Sequence, residues 1–115
     1  LYGYEWETLT ETNHSAVIPG TSVVASNQRA ENVLSALTCT KIFDEEGQEV
    51  LLTFKDEKTG SFHQIFYPDV RSTQSKVNYA RENKLGGLAL WALGYEGETI
   101  LNPLENYIQS SPSKK

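Results

Sequence analysis

Methionine is absent from this 115-residue chain, cysteine occurs once and histidine twice. Each scarcity excludes something. Cys39 has no second cysteine for an internal disulfide. His14 and His63 stand far apart, with no cysteine or acidic cluster at ligand spacing, so no metal site and no cofactor is expected. Apolar runs fall far short of the roughly 20 residues a membrane helix needs, so no membrane span is expected. No basic run precedes the terminal Lys114 and Lys115, and the net charge of −5 is scattered along the chain, which argues against nucleic acid as a partner. The chain opens on Leu1 and reads as a cut piece of something longer, so a missing signal peptide says nothing about compartment.

What is present fits one small domain: 38% hydrophobic and 22% charged residues. "LYGYEW" alternates Tyr2, Tyr4 and Trp6 with Leu1, Gly3 and Glu5, the period of a strand with three aromatics on one side. Residues 7–22, rich in Thr, Glu and Ser, read as a long loop with a short strand at 16–18 and a turn at Pro19-Gly20. Ala30, Val33, Leu34 and Leu37 recur at helical spacing behind Ser26 and Asn27, either of which suits a helix start, and predict a helix over 27–38. Residues 39–67 read as a meander with turns at Glu46-Gly47 and Thr59-Gly60, ended by Pro68, which offers no amide to a ladder. Asp69 or Ser72 starts a second helix with Val70, Thr73, Val77 and Ala80 on its apolar stripe, running to about Asn83. "ETILNPLENYIQ" holds a last short helix before "SSPSKK" frays.

Between those helices lies "GGLALWALGYE". An apolar run of this length, bounded by glycines, is expected to be a strand buried on both faces. Gly87, Ala89, Trp91 and Leu93 then face one way, small until the indole arrives, as inside a barrel that opens at its carboxyl end. A tryptophan in such a run is ordinarily core, and its place at the strand's end turns it toward a site. The same two readings hold for Tyr2, Tyr4 and Trp6, because strands favour aromatics for packing alone. Tyrosine and tryptophan also pair a flat apolar face with a polar handle, which suits sugar rings.

Carboxylates in "FDEE" and "KDEK" flank hairpin turns and read as solvated surface. Glu96 and Glu98 read as solvent-facing or capping the last helix. Asn13-His14-Ser15 matches a glycosylation sequon, which matters only in a eukaryotic secretory context. No serine or cysteine stands in a recognisable nucleophile setting, so no catalytic residue is assigned.

"YPDVRSTQSKVNYARENKLGGLALWALGYE" resembles the carboxyl-terminal end of the family 18 glycoside hydrolases, the chitinase-like group. There a D-x-x-S-x-x-x-K helix leads through GLGG into a final barrel strand ending in tryptophan. Asp69, Ser72, Lys76, Leu85, Gly86, Gly87 and Trp91 match that pattern in order. "YGYEW" is similar to the YGYDW form of the seventh strand in spore-cortex and peptidoglycan-acting members. Pro68 departs from the Glu, and Lys84 from the helix-ending Gly, of many relatives, leaving Asn83 to take the left-handed turn.

The resemblance implies an α+β fragment of a parent (β/α)8 barrel. Residues 1–6 would end barrel strand seven, 7–67 form the family's α+β insertion, 68–109 hold helix seven, strand eight and the start of helix eight, and 110–115 form a tail. It implies a parent acting on β-1,4-linked N-acetylglucosamine polymers, chitin or peptidoglycan, in an extracellular, cell-wall or spore setting. Trp91 would floor the subsite next to the scissile bond, with Tyr2, Tyr4 and Trp6 flanking the neighbouring one. The family's DxxDxDxE acid and its YD pair do not occur here, so the chain alone is expected to be inactive. A parent lectin that has lost the acid, and a self-standing α+β interaction domain, remain alternatives. Barrel strands cut from their neighbours expose edges, so a homo-oligomer or strand swap is expected of the isolated piece.

Overall fold

The computed structural model describes residues 1–36, 38–91 and 100–110. Over these residues it is an α+β arrangement of one five-stranded sheet and three helices: β1 (Gly3–Thr8), β2 (Val23–Ala25), α1 (Asn27–Ala36), β3 (Cys39–Asp44), β4 (Glu49–Lys55), β5 (Phe62–Tyr67), α2 (Val70–Glu82) and α3 (Asn102–Ser110). The strands lie in the order β2-β1-β5-β4-β3, and every pairing is antiparallel. The expected meander is β3-β4-β5, and β1 returns to close on its far side.

Period-two alternation divides the sheet into two faces. Val50 lies opposite Tyr67 and Leu52 opposite Ile65. These four, with Phe54, Ala25 and the α1 residues Ala30 and Val33, form the buried core. Helix α1 therefore covers this face with its i, i+3 stripe. The other face carries Tyr4, Trp6, Thr8, Leu51, Thr53, Phe62, Gln64 and Phe66.

Helix starts follow the expected capping chemistry. Ser26 is the residue that caps α1, its Oγ accepting from Arg29 N at 3.1 Å. The buried Asn27 instead donates through Nδ2 to the Pro68 carbonyl, fastening α1 to the junction of β5 and α2. Asp69 caps α2, accepting from Ser72 N at 2.9 Å. Lys76, one turn on from Ser72, reaches Glu49 Oε2 at 3.5 Å. The Asp69, Ser72 and Lys76 pattern thus has a structural role, a cap and a tie to β4. Burial pushes the Glu49 carboxyl above its usual range, and the Lys76 ammonium pulls against it. Arg71 adds a second tie, 2.8 Å from Glu45 and stacked 3.7 Å over the Phe43 ring.

Several local expectations need correction. Helix α1 ends at Ala36, and Thr38 is not helical; Leu37 lies outside the described residues. At 16–18 only an isolated bridge, Val17 to Thr8, takes the place of the short strand. Lys84, not Asn83, holds the left-handed conformation, at φ 53°, while Asn83 has φ −97°. The reason is bond counting: Leu85 N donates to Ala80 O and Lys84 N to Arg81 O, which places the left-handed residue at Lys84 whatever its side chain. That conformation costs a residue with a Cβ about 1 kcal/mol.

The largest correction concerns 87–93. Residues 87–91 are in no strand, and Ala92 and Leu93 lie outside the described residues. The Leu1 amino group donates to the Trp91 carbonyl, so the segment runs beside the start of the chain without a ladder. A buried strand needs neighbours on both sides, and no strand other than the five of the sheet lies among the described residues to supply them.

Tyr67 gives the fold a pH dependence. The residue is 3% exposed, and burial pushes its phenol up to about 12 from 10. A raised pKa means the folded state holds the proton longer than the unfolded chain. The corresponding stability, on the order of 2 kcal/mol, is intact below pH 10 and is lost as pH rises toward 12. Denaturant unfolding at stepped alkaline pH should show this fall, and Tyr67→Phe should flatten it; an equally steep fall in the variant would assign it to other groups.

Candidate functional site

Strand β1 has two chemically different sides. On its core side Gly3 and Glu5 are buried. A Cβ at Gly3 would overlap the Phe66 carbonyl oxygen and come within 2.8 Å of Tyr67 Cβ. Glu5, 7% exposed, is held by Arg29 through paired hydrogen bonds, Nε to Oε1 at 3.0 Å and Nη2 to Oε2 at 3.1 Å. His63 Nδ1 lies 2.9 Å from the same Oε2. The bonds to Glu5 hold the Arg29 guanidinium above its usual value against its partial burial. This clamp ties β1 to α1 and β5.

The clamp continues through His63 Nε2 to Ser61 Oγ at 2.8 Å. Serine, histidine and carboxylate therefore stand in relay order, which the sequence does not disclose. Arg29 occupies both oxygens of Glu5, and the Ser61 amide donates to Thr59 Oγ1. We read the chain as a fastening of the hairpin end rather than a nucleophile. Among the described residues no group of three His, Cys, Asp or Glu could hold a metal ion, and no helix is long and apolar enough to cross a membrane.

The opposite side of β1 carries the expected aromatics. The Tyr2 and Tyr4 rings meet edge to face at 5.9 Å, and Tyr4 and Trp6 lie tilted at 5.8 Å. Tyr4 is 41% exposed, and Tyr2 and Trp6 are half-buried. Alternation forces this outcome: with Gly3 and Glu5 committed to the core, the residues between them face outward. Two further rings, which the sequence did not single out, continue the row: Phe66 at 6.2 Å from Trp6, and His14 at 5.6 Å from Phe66.

Trp91 reaches the start of this strand through its carbonyl's bond to Leu1. Its side chain is 74% exposed, so the indole is not sealed in the core. The segment preceding it lines an apolar groove of about 290 Å³, with Leu88 and Leu90 facing Leu104, Tyr107 and Ile108 of α3. Glu96 and Glu98 lie outside the described residues.

Comparison with known proteins places this geometry. The profile of the Glycosyl hydrolases family 18 matches residues 1–96. A cortical fragment-lytic enzyme of Bacillus subtilis (strain 168) is 29% identical over 97 residues, covering 82% of this chain and 20% of its own length. The cortical fragment-lytic enzyme of Bacillus anthracis is 30% identical over 95 residues, with the same coverage of 82% and 20%. Among solved structures, the spore cortex-lytic enzyme SleL of Bacillus megaterium QM B1551 superposes with a TM-score of 0.76 at 28% identity, over 93% of this chain and 24% of that one. The chitinase of Chromobacterium violaceum shares the fold, with a TM-score of 0.74 at 19% identity over 96% of this chain and 31% of that one. The chain thus spans about a fifth of the length of the curated relatives it matches. Its family profile, sequence relatives and fold agree: the chain belongs to the glycosyl hydrolases of family 18.

Proposed function

We propose that residues 1–6 end the seventh strand of a (β/α)8 barrel, 7–67 form an insertion, 68–109 carry helix seven, strand eight and the start of helix eight, and 110–115 are a tail. In the intact protein this stretch supplies an aromatic wall for a β-1,4-linked N-acetylglucosamine polymer, with peptidoglycan of the spore cortex or cell wall favoured over chitin. The relatives' names, cortical fragment-lytic and spore cortex-lytic enzyme, support that preference and a spore or cell-wall location.

The observation that carries the reading is the exposed indole of Trp91 beside the strand bearing Tyr2, Tyr4 and Trp6. Rings with polar handles stack on the apolar faces of sugars and hydrogen-bond their hydroxyls. Protonation of the leaving oxygen falls to a carboxylic acid outside this chain, with the substrate's own acetamido group as nucleophile. The chain's residues bind and orient; they do not move the proton.

Reducing-end release from purified spore cortex and from N-acetylglucosamine oligomers tests this. The intact protein is expected to cleave and residues 1–115 alone to release nothing. Tight binding without cleavage by the intact protein would favour a lectin, and neither binding nor cleavage would end the proposal.

A further inference from the structure

Glu5 stands where the support of β1 changes. On one side β2 pairs with the strand from Gly3 to Glu5, and the pair of Glu5 with Val23 is the last of that ladder. On the other side β5 pairs with it from Tyr4 to Thr8. Beyond Glu5 the β2 side is taken over by single bonds: Glu7 N donates to Thr21 Oγ1 at 3.1 Å, Ile18 N donates to Glu7 O at 2.9 Å, and Thr8 bridges to Val17. Tyr4 lies just before that change and Trp6 just after it.

The Glu5 carboxylate is fastened at this point to two other elements. Arg29 of α1 takes both of its oxygens, and His63 of β5 stands against Oε2. His63 lies opposite Glu7 in register, so it reaches Glu5 on the diagonal. One core ring fixes both partners: Phe54, 1% exposed, stacks on the His63 imidazole at 5.3 Å and 19° and underlies the Arg29 guanidinium at 5.9 Å. A planar fork seated on a buried ring and closed on both carboxylate oxygens leaves Glu5 little freedom to turn. Successive side chains of a strand point to opposite faces, so the roll of one residue sets the direction of its neighbours. Holding Glu5 at the rear therefore holds the angle at which Tyr4 and Trp6, tilted 33° to each other, leave the front.

We infer that Arg29, Glu5 and His63 are positioning residues for ligand binding, holding the Tyr4 and Trp6 rings from the α1 side of the sheet in the geometry that receives the glycan. The inference rests on the sugar-cleft reading above and gives none of the three a contact with the sugar. Binding groups kept to within about 0.5 Å need such a layer of locked side chains behind them. Stability alone would be served as well by apolar residues at these places, because ion pairs taken out of water return little net free energy. A bidentate fork adds direction, which apolar contacts lack.

The test is a thermodynamic cycle on the intact protein. Calorimetry reads its affinity for N-acetylglucosamine oligomers under conditions where no product forms, at a temperature where far-UV circular dichroism shows the variants folded. Arg29→Lys keeps the charge and loses the fork, at a side chain that is 45% exposed. It is expected to weaken binding roughly three- to tenfold, and Glu5→Gln, which keeps the size and removes the charge, by at least as much. In a background of Tyr4→Leu and Trp6→Leu, which keeps apolar bulk and retains Trp91, Arg29→Lys should leave affinity unchanged, because the rings through which it acts are gone. Near-UV circular dichroism gives a second readout. The signal lost on removing the two rings should also shrink in Arg29→Lys, and this decides the matter even where the background binds too weakly to titrate. Equal weakening with and without the rings, or an unchanged ring signal, overturns the positioning role and leaves the cleft standing. Unchanged affinity in both Arg29→Lys and Glu5→Gln does the same, as does failure of Arg29→Lys to fold, which would make the clamp a determinant of the fold alone. If neither Trp91→Ala nor the removal of the two rings alters affinity, the cleft reading fails and the positioning role fails with it.

Discussion

Replacing Trp91 with alanine is expected to lower the affinity of the intact protein for long N-acetylglucosamine oligomers by roughly a hundredfold, about 3 kcal/mol. The size follows from the role proposed for the ring, because one aromatic that floors a subsite behaves as a binding hot spot. Stability should barely respond. In the 115-residue chain an indole that is 74% exposed contributes little to the fold, so that chain's unfolding free energy should stay within about 0.5 kcal/mol. The two measurements together are diagnostic. A core tryptophan would lose stability first and binding as a consequence, whereas this one should lose binding alone. Undiminished affinity in Trp91→Ala would remove the assigned site.

Gly3→Ala should do the reverse. The added methyl overlaps the Phe66 carbonyl oxygen and crowds Tyr67 Cβ at 2.8 Å, and neither neighbour is the yielding end of a flexible side chain. Both belong to β5, which is paired on its far side by β4. The strand must therefore separate or the register shift, at a cost of about 3 kcal/mol or more. Equilibrium unfolding of the intact protein should show a clear drop in midpoint, and any remaining folded protein should bind short oligomers poorly, since Tyr2 and Tyr4 flank the displaced residue. A variant as stable as the parent would mean that β1 and β5 do not approach as described.

Most of the sheet was legible because alternation is a local signal. Val50, Leu52 and Phe54 interleave with Leu51 and Thr53, and turn residues separate the strands. Tyr2, Tyr4 and Trp6 were legible for the same reason. Strand β2 was not: Val23 and Val24 are exposed and only Ala25 is buried, so three residues carry no pattern. It is a strand because β1 lies beside it. The run at 87–93 erred the other way, since apolar composition shows that a segment seeks cover and not which neighbours exist. Glu5 was read only as a position on a face. Its significance depends on Arg29 and His63, 24 and 58 positions away, and no spacing rule links them. Phe66 and His14 likewise join the row only through tertiary contact.

The place of β1 between β2 and β5 has a consequence for biosynthesis. Within this sheet the ribosome delivers β1 before the other strands, and its principal partner, Phe62–Tyr67, emerges only after β2, α1, β3 and β4. Until then, of the described strands, only the short Val23–Ala25 segment can pair with it. The segment richest in exposed rings is thus the one that waits longest for its mate, an interval in which nascent-chain binding factors and wrong pairings compete for it.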